Sequence, residues 1–333
     1  MRDRARRRRP RGAGLFLSPL VWLLISLAAG CGGEPLYRQE SYVFGTRVEL
    51  AIWGEHGERA RDAAAAVRRE CDRLHRMLHA WEPSEGTRLN DAIARGESAV
   101  PVSVELARIL LDAAAIAESS EHLFNPLIGA LVRLWGFHGD TFVARLPPEE
   151  EIARLVLADP KVTDMKIENG HVTSRNPAAQ IDLGGFAKGY ALDRAMSILR
   201  SHGIRNALVN IGGNVAALGA KGKTPWRIGI QHPRAAGPLA ALDLRDGESI
   251  GTSGDYQRFF EVEGRRYSHL IDPRTGTPAR GVQAVTVLVP ARRAPGVLSD
   301  AASKPLFISE AARWRELARR LGVEHVMRVD ARG

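Results

Sequence analysis

The residues best suited to chemistry lie at three separated places. Asp182, Gly184, Gly185 and Lys188 share one short bend, Gln180-Ile181-Asp182-Leu183-Gly184-Gly185-Phe186-Ala187-Lys188. His269 lies in Ser268-His269-Leu270-Ile271-Asp272-Pro273-Arg274-Thr275-Gly276, and Asp300 and Lys304 lie in Ser299-Asp300-Ala301-Ala302-Ser303-Lys304. At the bend, an extended apolar lead-in meets a double glycine, and a helical run follows. Glycine lets a backbone approach a ligand closely or adopt φ > 0. The first turn of the next helix offers N–H groups and a positive dipole end, which suits a phosphate. Taken alone, such a bend is an ordinary strand-to-helix turn. His269, beside a turn and next to Asp272, is a candidate general base; the plain alternative is a structural turn histidine. Asp300 is a hard oxygen donor for a magnesium ion, and the Gly185 carbonyl is a second candidate ligand.

Elements must carry these residues. Residues 41–53 alternate polar and apolar positions and read as a strand interrupted at Phe44-Gly45-Thr46. Residues 59–78 form an amphipathic helix. Residues 103–119 form a second, with Val104, Leu106, Ile109, Leu110 and Ala113 on one face. Pro147-Pro148 followed by three glutamates marks a helix start. A helix is expected over 190–201 and a buried strand over 207–211, ending in Gly212-Gly213-Asn214. Several strands follow between Trp226 and Tyr267, then one more over 285–289. Helices over 298–307 and 310–321 and a strand over 325–329 close the chain. Helices and strands mix without strict alternation. The expected fold class is therefore α+β, one domain over residues 41–330 with mixed or antiparallel sheets and flanking helices.

Composition narrows the function classes. The net charge of +9 is concentrated at the amino end: residues 1–30 carry seven arginines against one aspartate. The remainder is nearly balanced, so no nucleic-acid partner is expected. Residues 2–11 are basic and 15–27 apolar, the layout of an export signal. Leu27-Ala28-Ala29-Gly30-Cys31 resembles a bacterial lipoprotein cleavage box, with Cys31 as the lipidated first residue and residues 31–40 as linker. An uncleaved membrane anchor is the alternative. Either way the chain is expected outside the cytoplasm, on the periplasmic side of the envelope and tethered to a membrane. The other cysteine, Cys71, falls in a helical pattern and reads as a buried thiol.

Together, the Asp-Leu-Gly-Gly-x-Ala-Lys-Gly bend, Ser-His-x-Ile-Asp-Pro-x-Thr-Gly, Gly212-Gly213-Asn214, Gly251-Thr252-Ser253-Gly254-Asp255-Tyr256 and the 299–304 segment resemble the FAD:protein FMN transferase (ApbE) family. The resemblance runs from about Phe44 to Phe307. It implies an enzyme of the bacterial envelope that uses magnesium to cleave the pyrophosphate of FAD. The FMN half passes to a threonine of an acceptor protein, typically a subunit of a membrane redox complex, and AMP leaves. By the same resemblance His269 takes the threonine proton, and Asp182, Lys188 and Ile271 belong to the cofactor site. Trp81 falls where the family has a flavin-stacking tyrosine, and its larger apolar face preserves stacking. Phe44 takes the place of a methionine that contacts flavin. Leu123, Phe124 and Asn125 match a cofactor loop in which the family has aspartate instead of Asn125.

One departure bears on the metal. The family has a threonine ligand at the position of Lys304, and an ammonium has three donors and no acceptor. Asp300 and Lys304 are four apart, so on a helix they share a face. Three outcomes stay open: Lys304 swings away and water completes a magnesium shell, it pairs with Asp300 in place of the metal, or catalysis is lost. Two alternatives accompany transfer: hydrolysis of FAD to FMN and AMP, and a non-catalytic FAD-binding lipoprotein.

Overall fold

The computed structural model describes residues 35–139, 141 and 143–333. The export signal and Cys31 lie outside the described residues. The central sheet has seven strands: β1 (Leu36–Val43), β2 (Thr46–Trp53), β3 (Ala207–Ile211), β4 (Asn214–Leu218), β5 (Ser249–Gly254), β6 (Val282–Val289) and β7 (His325–Asp330). Their order in space is their order in the chain, and every neighbouring pair is antiparallel. β1 begins at Leu36, so residues 36–40, expected as linker, belong to the sheet and pair with 49–53. Backbone pairing reaches beyond the apolar alternation that the sequence displays.

Two-residue turns close the β1–β2 and β3–β4 hairpins: Phe44-Gly45 with φ of 58° and 65°, and Gly212-Gly213 with φ of 59° and 91°. Positive φ at both central positions suits the right-handed twist of the flanking strands. Pairing of β2 with β3 sets the two turns side by side. A Cβ on Gly212 would lie 2.7 Å from Thr46 Oγ1. The Gly212-Gly213 motif is thus a hairpin requirement.

Eight α-helices are described: α1 (Gly57–Leu78), α2 (Glu85–Ala94), α3 (Val104–Ser119), α4 (Gly129–Leu134), α5 (Glu149–Ala158), α6 (Ala187–Ser201), α7 (Pro295–Ile308) and α8 (Trp314–Arg320). In α1, Ala60, Ala63, Val67, Cys71, Leu74 and Leu78 recur at helical spacing and are buried. With α6 they cover Leu50, Ile52, Val209 and Ile211 on one face of the sheet. On the other face, Val215, Ala217 and Ile250 pack against Trp226 and Leu244 of a hairpin, Trp226–Gln231 with Pro238–Leu244. In α3 the expected stripe holds except at Val104, which is 85% exposed. Val104 lies two residues from Leu106, about 200° around a helix, so it faces water while Leu106 faces the core.

α7 lies between α6 and β5, held close by small residues on both sides. A Cβ on Gly189 of α6 would sit 2.3 Å from Gly296 O, and one on Gly251 of β5 would sit 2.4 Å from Ser299 O. Facing hydroxyls bridge the second contact, Ser249 to Ser299 at 3.1 Å and Ser253 to Ser303 at 2.7 Å. α7 has no capping side chain of its own. Asp193 of α6 supplies one, accepting from the N–H of Gly296 (2.8 Å) and Val297 (2.9 Å). These two donors would otherwise be orphans of the helix start.

Candidate active site

A cavity of about 380 Å³ opens between the Phe44-Gly45 turn, the loop after α1, the bend before α6, the end of α7 and the segment around His269. Phe44, Trp81, Leu123, Phe124, Asn125, Asp182, Gly185, Lys188, His269, Ile271 and Lys304 all line it. Asp300 does not. It is fully buried one layer behind Lys304.

The bend is held from below by a residue that no motif announced. Buried Asn90 of α2 accepts from Ile181 N (2.7 Å) and donates to Ile181 O (2.9 Å), splinting the lead-in like a missing strand. The lead-in, which reads as a strand in the sequence, keeps only a single bridge, Gln180 with Ile128. The Asp182 carboxylate accepts from Gly184 N at 2.7 Å and fixes the turn. Burial deep in the cleft pushes the Asp182 carboxyl up, against the Gly184 N–H and the charges of Arg258 and Lys188. The first turn of α6 is not wholly open to a ligand as the sequence suggests. Gly189 N donates to the Asp300 carboxylate at 2.8 Å, so an internal anion already sits there.

His269 meets the cavity wall with its ring. Its Nδ1 lies 3.2 Å from the Arg258 carbonyl, and its backbone N–H donates to the same oxygen at 3.1 Å. A carbonyl only accepts, so Nδ1 carries the ring proton and Nε2 keeps a free lone pair. Burial, then the positive charges of Arg258, Lys188 and Lys304, push the imidazole down to about 3; the hydrogen bond to Arg258 opposes them. The ring is therefore neutral at ordinary pH. The expected neighbour Asp272 does not orient it. Asp272 binds the Arg274 guanidinium (2.8 Å) and the Arg274 N–H (2.9 Å) instead. Further along the same motif, Gly276 takes φ of 67° under α4 and accepts from Trp135 Nε1 at 2.7 Å. The second half of that motif is packing, not chemistry.

Lys304 reaches from α7 to the cavity floor. Its ammonium donates to the Asp300 carbonyl at 2.8 Å and contacts the Asp300 carboxylate Oδ1 directly. Burial favours the neutral acid at Asp300, but Lys304, Lys188 and the Gly189 N–H outweigh it, holding the carboxyl below its usual range. Lys188 and Arg258 bring two further cations to this end of the cavity. Arg258, absent from every sequence motif, also donates to the carbonyls of Phe137 (3.0 Å) and Gly139 (2.8 Å).

The opposite end is aromatic. The Phe44 and His75 rings meet edge to face at 5.5 Å, as do His75 and His79 at 5.0 Å and Trp81 and His138 at 5.7 Å. His79 Nδ1 accepts from the N–H of Glu82 (2.8 Å) and Trp81 (3.2 Å), shaping the loop that carries Trp81. Burial, then His79, pulls the His75 imidazole below its ordinary value. No sequence motif marks His75 and His79, although their four-residue spacing at the end of α1 places them on one face. Asn125 lines the cavity, but its amide serves the fold. It donates to Pro160 O (2.8 Å) and accepts from Leu127 N (2.9 Å). A carboxylate has no proton for the first bond, which gives the amide a structural reason.

The ApbE family model matches residues 44–327, a span that contains every cavity residue named above. The chain belongs to the ApbE family. The FAD:protein FMN transferase of Rhodobacter capsulatus is 42% identical over 317 residues, covering 95% of this chain and 58% of that protein. The protein of the same name from Treponema pallidum is 31% identical, covering 81% of this chain and 80% of its own. The chain thus spans less than two-thirds of the Rhodobacter relative. Among solved structures, the ApbE protein of Thermotoga maritima superposes with a TM-score of 0.80 at 32% identity, covering 90% of this chain and 96% of that one. The flavin transferase ApbE of Vibrio cholerae gives 0.75 at 25% identity, covering 89% and 93%. These likenesses bear out the α+β fold with antiparallel sheets.

Proposed function

We propose that this protein transfers the FMN half of FAD to a threonine hydroxyl of an acceptor protein. The observation that carries the reading is the convergence of a neutral His269 with Lys188, Arg258 and Lys304 on one cavity whose far end is aromatic. The aromatic end suits an isoalloxazine face, and the cationic end suits a diphosphate. In the step, the threonine Oγ attacks the phosphorus on the FMN side, and its proton passes to His269 Nε2. The bond from that phosphorus to the bridging oxygen breaks, and AMP leaves with the bridging oxygen. His269 Nε2 carries no proton before the attack, so that nitrogen is ready as a base.

A resident magnesium ion, expected from the resemblance, does not fit the donors at Asp300. Both carboxylate oxygens are taken by protein donors, and residue 304 offers donors only. No group of three or more His, Cys, Asp or Glu side chains suited to a metal occurs among the described residues.

The test is mass spectrometry of a threonine-bearing envelope acceptor domain after incubation with FAD. Addition of one FMN supports transfer. Release of free FMN and AMP without labelling of the acceptor replaces transfer by hydrolysis. We further propose that Cys31 is lipidated and that the domain works at the periplasmic face of a membrane, serving a subunit of a redox complex. Cys31→Ser should then move the protein from the membrane fraction to the soluble one, and retention in the membrane would overturn the anchor.

A further inference from the structure

We propose that the Lys304 ammonium takes the place of the magnesium ion in this site and holds the pyrophosphate of the substrate directly. The inference rests on FAD being the substrate and concerns how its charge is met. Four observations carry it. First, each oxygen of the Asp300 carboxylate already has a protein donor: Oδ2 accepts from Gly189 N at 2.8 Å and Oδ1 is in contact with Lys304 Nζ. Second, the Lys304 stem packs against the backbone of Gly185, the other candidate ligand residue. A Cβ on Gly185 would lie 3.4 Å from Lys304 Cε and 3.7 Å from Cδ.

Third, an ammonium has three donors. Two of them meet the Asp300 carbonyl and carboxylate. The third has no partner among the described residues, and Lys304 lines the cavity. Fourth, α7 fixes the backbone position from which this lysine reaches the cavity floor. Its helix is pinned by Asp193, by the Ser253–Ser303 hydroxyl pair and by close contact with Gly189. A divalent ion on a single carboxylate would bring more positive charge than a lysine paired with that carboxylate. Lys188 and Arg258, on the same cavity wall, supply the difference. Lysine acts on phosphate as a point charge with directed hydrogen bonds, so it neutralises the leaving diphosphate without Lewis-acid coordination.

The experiment measures FAD affinity of the wild-type protein by quenching of flavin fluorescence, once with a chelator and once with millimolar magnesium. The expected result is a change of less than about threefold, well short of the tenfold that equals ~1.4 kcal/mol. Calorimetric titration of magnesium into the FAD-free protein should show no binding. Lys304→Thr restores an acceptor at this position and frees Asp300 Oδ1. Once shown to be folded by circular dichroism, it should gain magnesium dependence of about tenfold or more. Wild-type affinity that rises about tenfold or more with magnesium would overturn the inference and leave the transferase reading standing. No FAD binding under either condition would overturn both.

Discussion

At the aromatic end of the cavity, Phe44 sits on a two-residue hairpin turn and Trp81 on a loop after α1, and both remain partly open to solvent. At the cationic end, Lys304 and Asp300 sit on a helix clamped between α6 and β5, with Asp300 fully buried. His269 is tied twice to one backbone carbonyl. The difference follows from what each end must do. A planar ring is bound by area, which tolerates small shifts. Charge development on a phosphate needs donors held in fixed positions. The cationic end therefore takes its rigidity from glycines and serines that let backbones approach, and the aromatic end takes its contact area from half-buried rings on turns.

The contrast can be broken most sharply at the base. His269→Ala should lower transfer by roughly 10²–10⁴-fold while FAD affinity changes little, checked by acceptor labelling alongside fluorescence binding. Comparable losses in binding would mean that the histidine holds FAD and is not the base. Next, Lys304→Met leaves a buried carboxylate with only the Gly189 N–H, and breaking such a pair costs about 3–5 kcal/mol. Chemical denaturation should show this loss, whereas Trp81→Ala at the other end should leave the midpoint nearly unmoved.

A smaller effect tests the clamp itself. Gly189→Ala drives a Cβ into Gly296 O and should destabilise by about 1–3 kcal/mol, again by denaturation. Trp81→Ala should weaken FAD by the ~0.5–1.5 kcal/mol of a lost aromatic contact, with the catalytic rate on bound FAD preserved. A further expected signal is in pH. His269 is pushed down to about 3, below the ordinary value near 6.5 that it regains on unfolding. Below about pH 6.5 the unfolded chain gains a proton that the native ring refuses, so this contribution to stability is present above that pH and falls as the solution is acidified. His269→Gln should therefore lose less stability than the wild type between pH 7 and pH 5. For the wild type, kcat/KM should show no acid limb near pH 6.5.

Much of the site is legible as residue types at fixed separations. Asp182, Lys188, His269 and Lys304 announce charge chemistry, and all four reach one cavity. The apolar periodicities of α1 and α3 likewise foretell their buried stripes, Val104 excepted. Less legible are residues whose role depends on a distant partner. Asn90 splints a segment 91 residues away, and Arg258 orients His269 through a carbonyl, which every residue type possesses. Asp272 misleads for the converse reason: it is a neighbour of His269 in sequence, but its carboxylate turns to Arg274.

By itself, the sequence determined the chemical inventory, the helical and strand periodicities and the presence of a lysine four residues after Asp300, because these are local properties of the chain. The tertiary structure decided which of two uses each glycine and serine serves, how the first turn of α6 is already occupied by Asp300, and where Lys304 rests. Those outcomes depend on α6, α7 and β5 approaching within a few ångströms of one another, and such contacts join residues 50 to 111 positions apart, where no local spacing rule reaches.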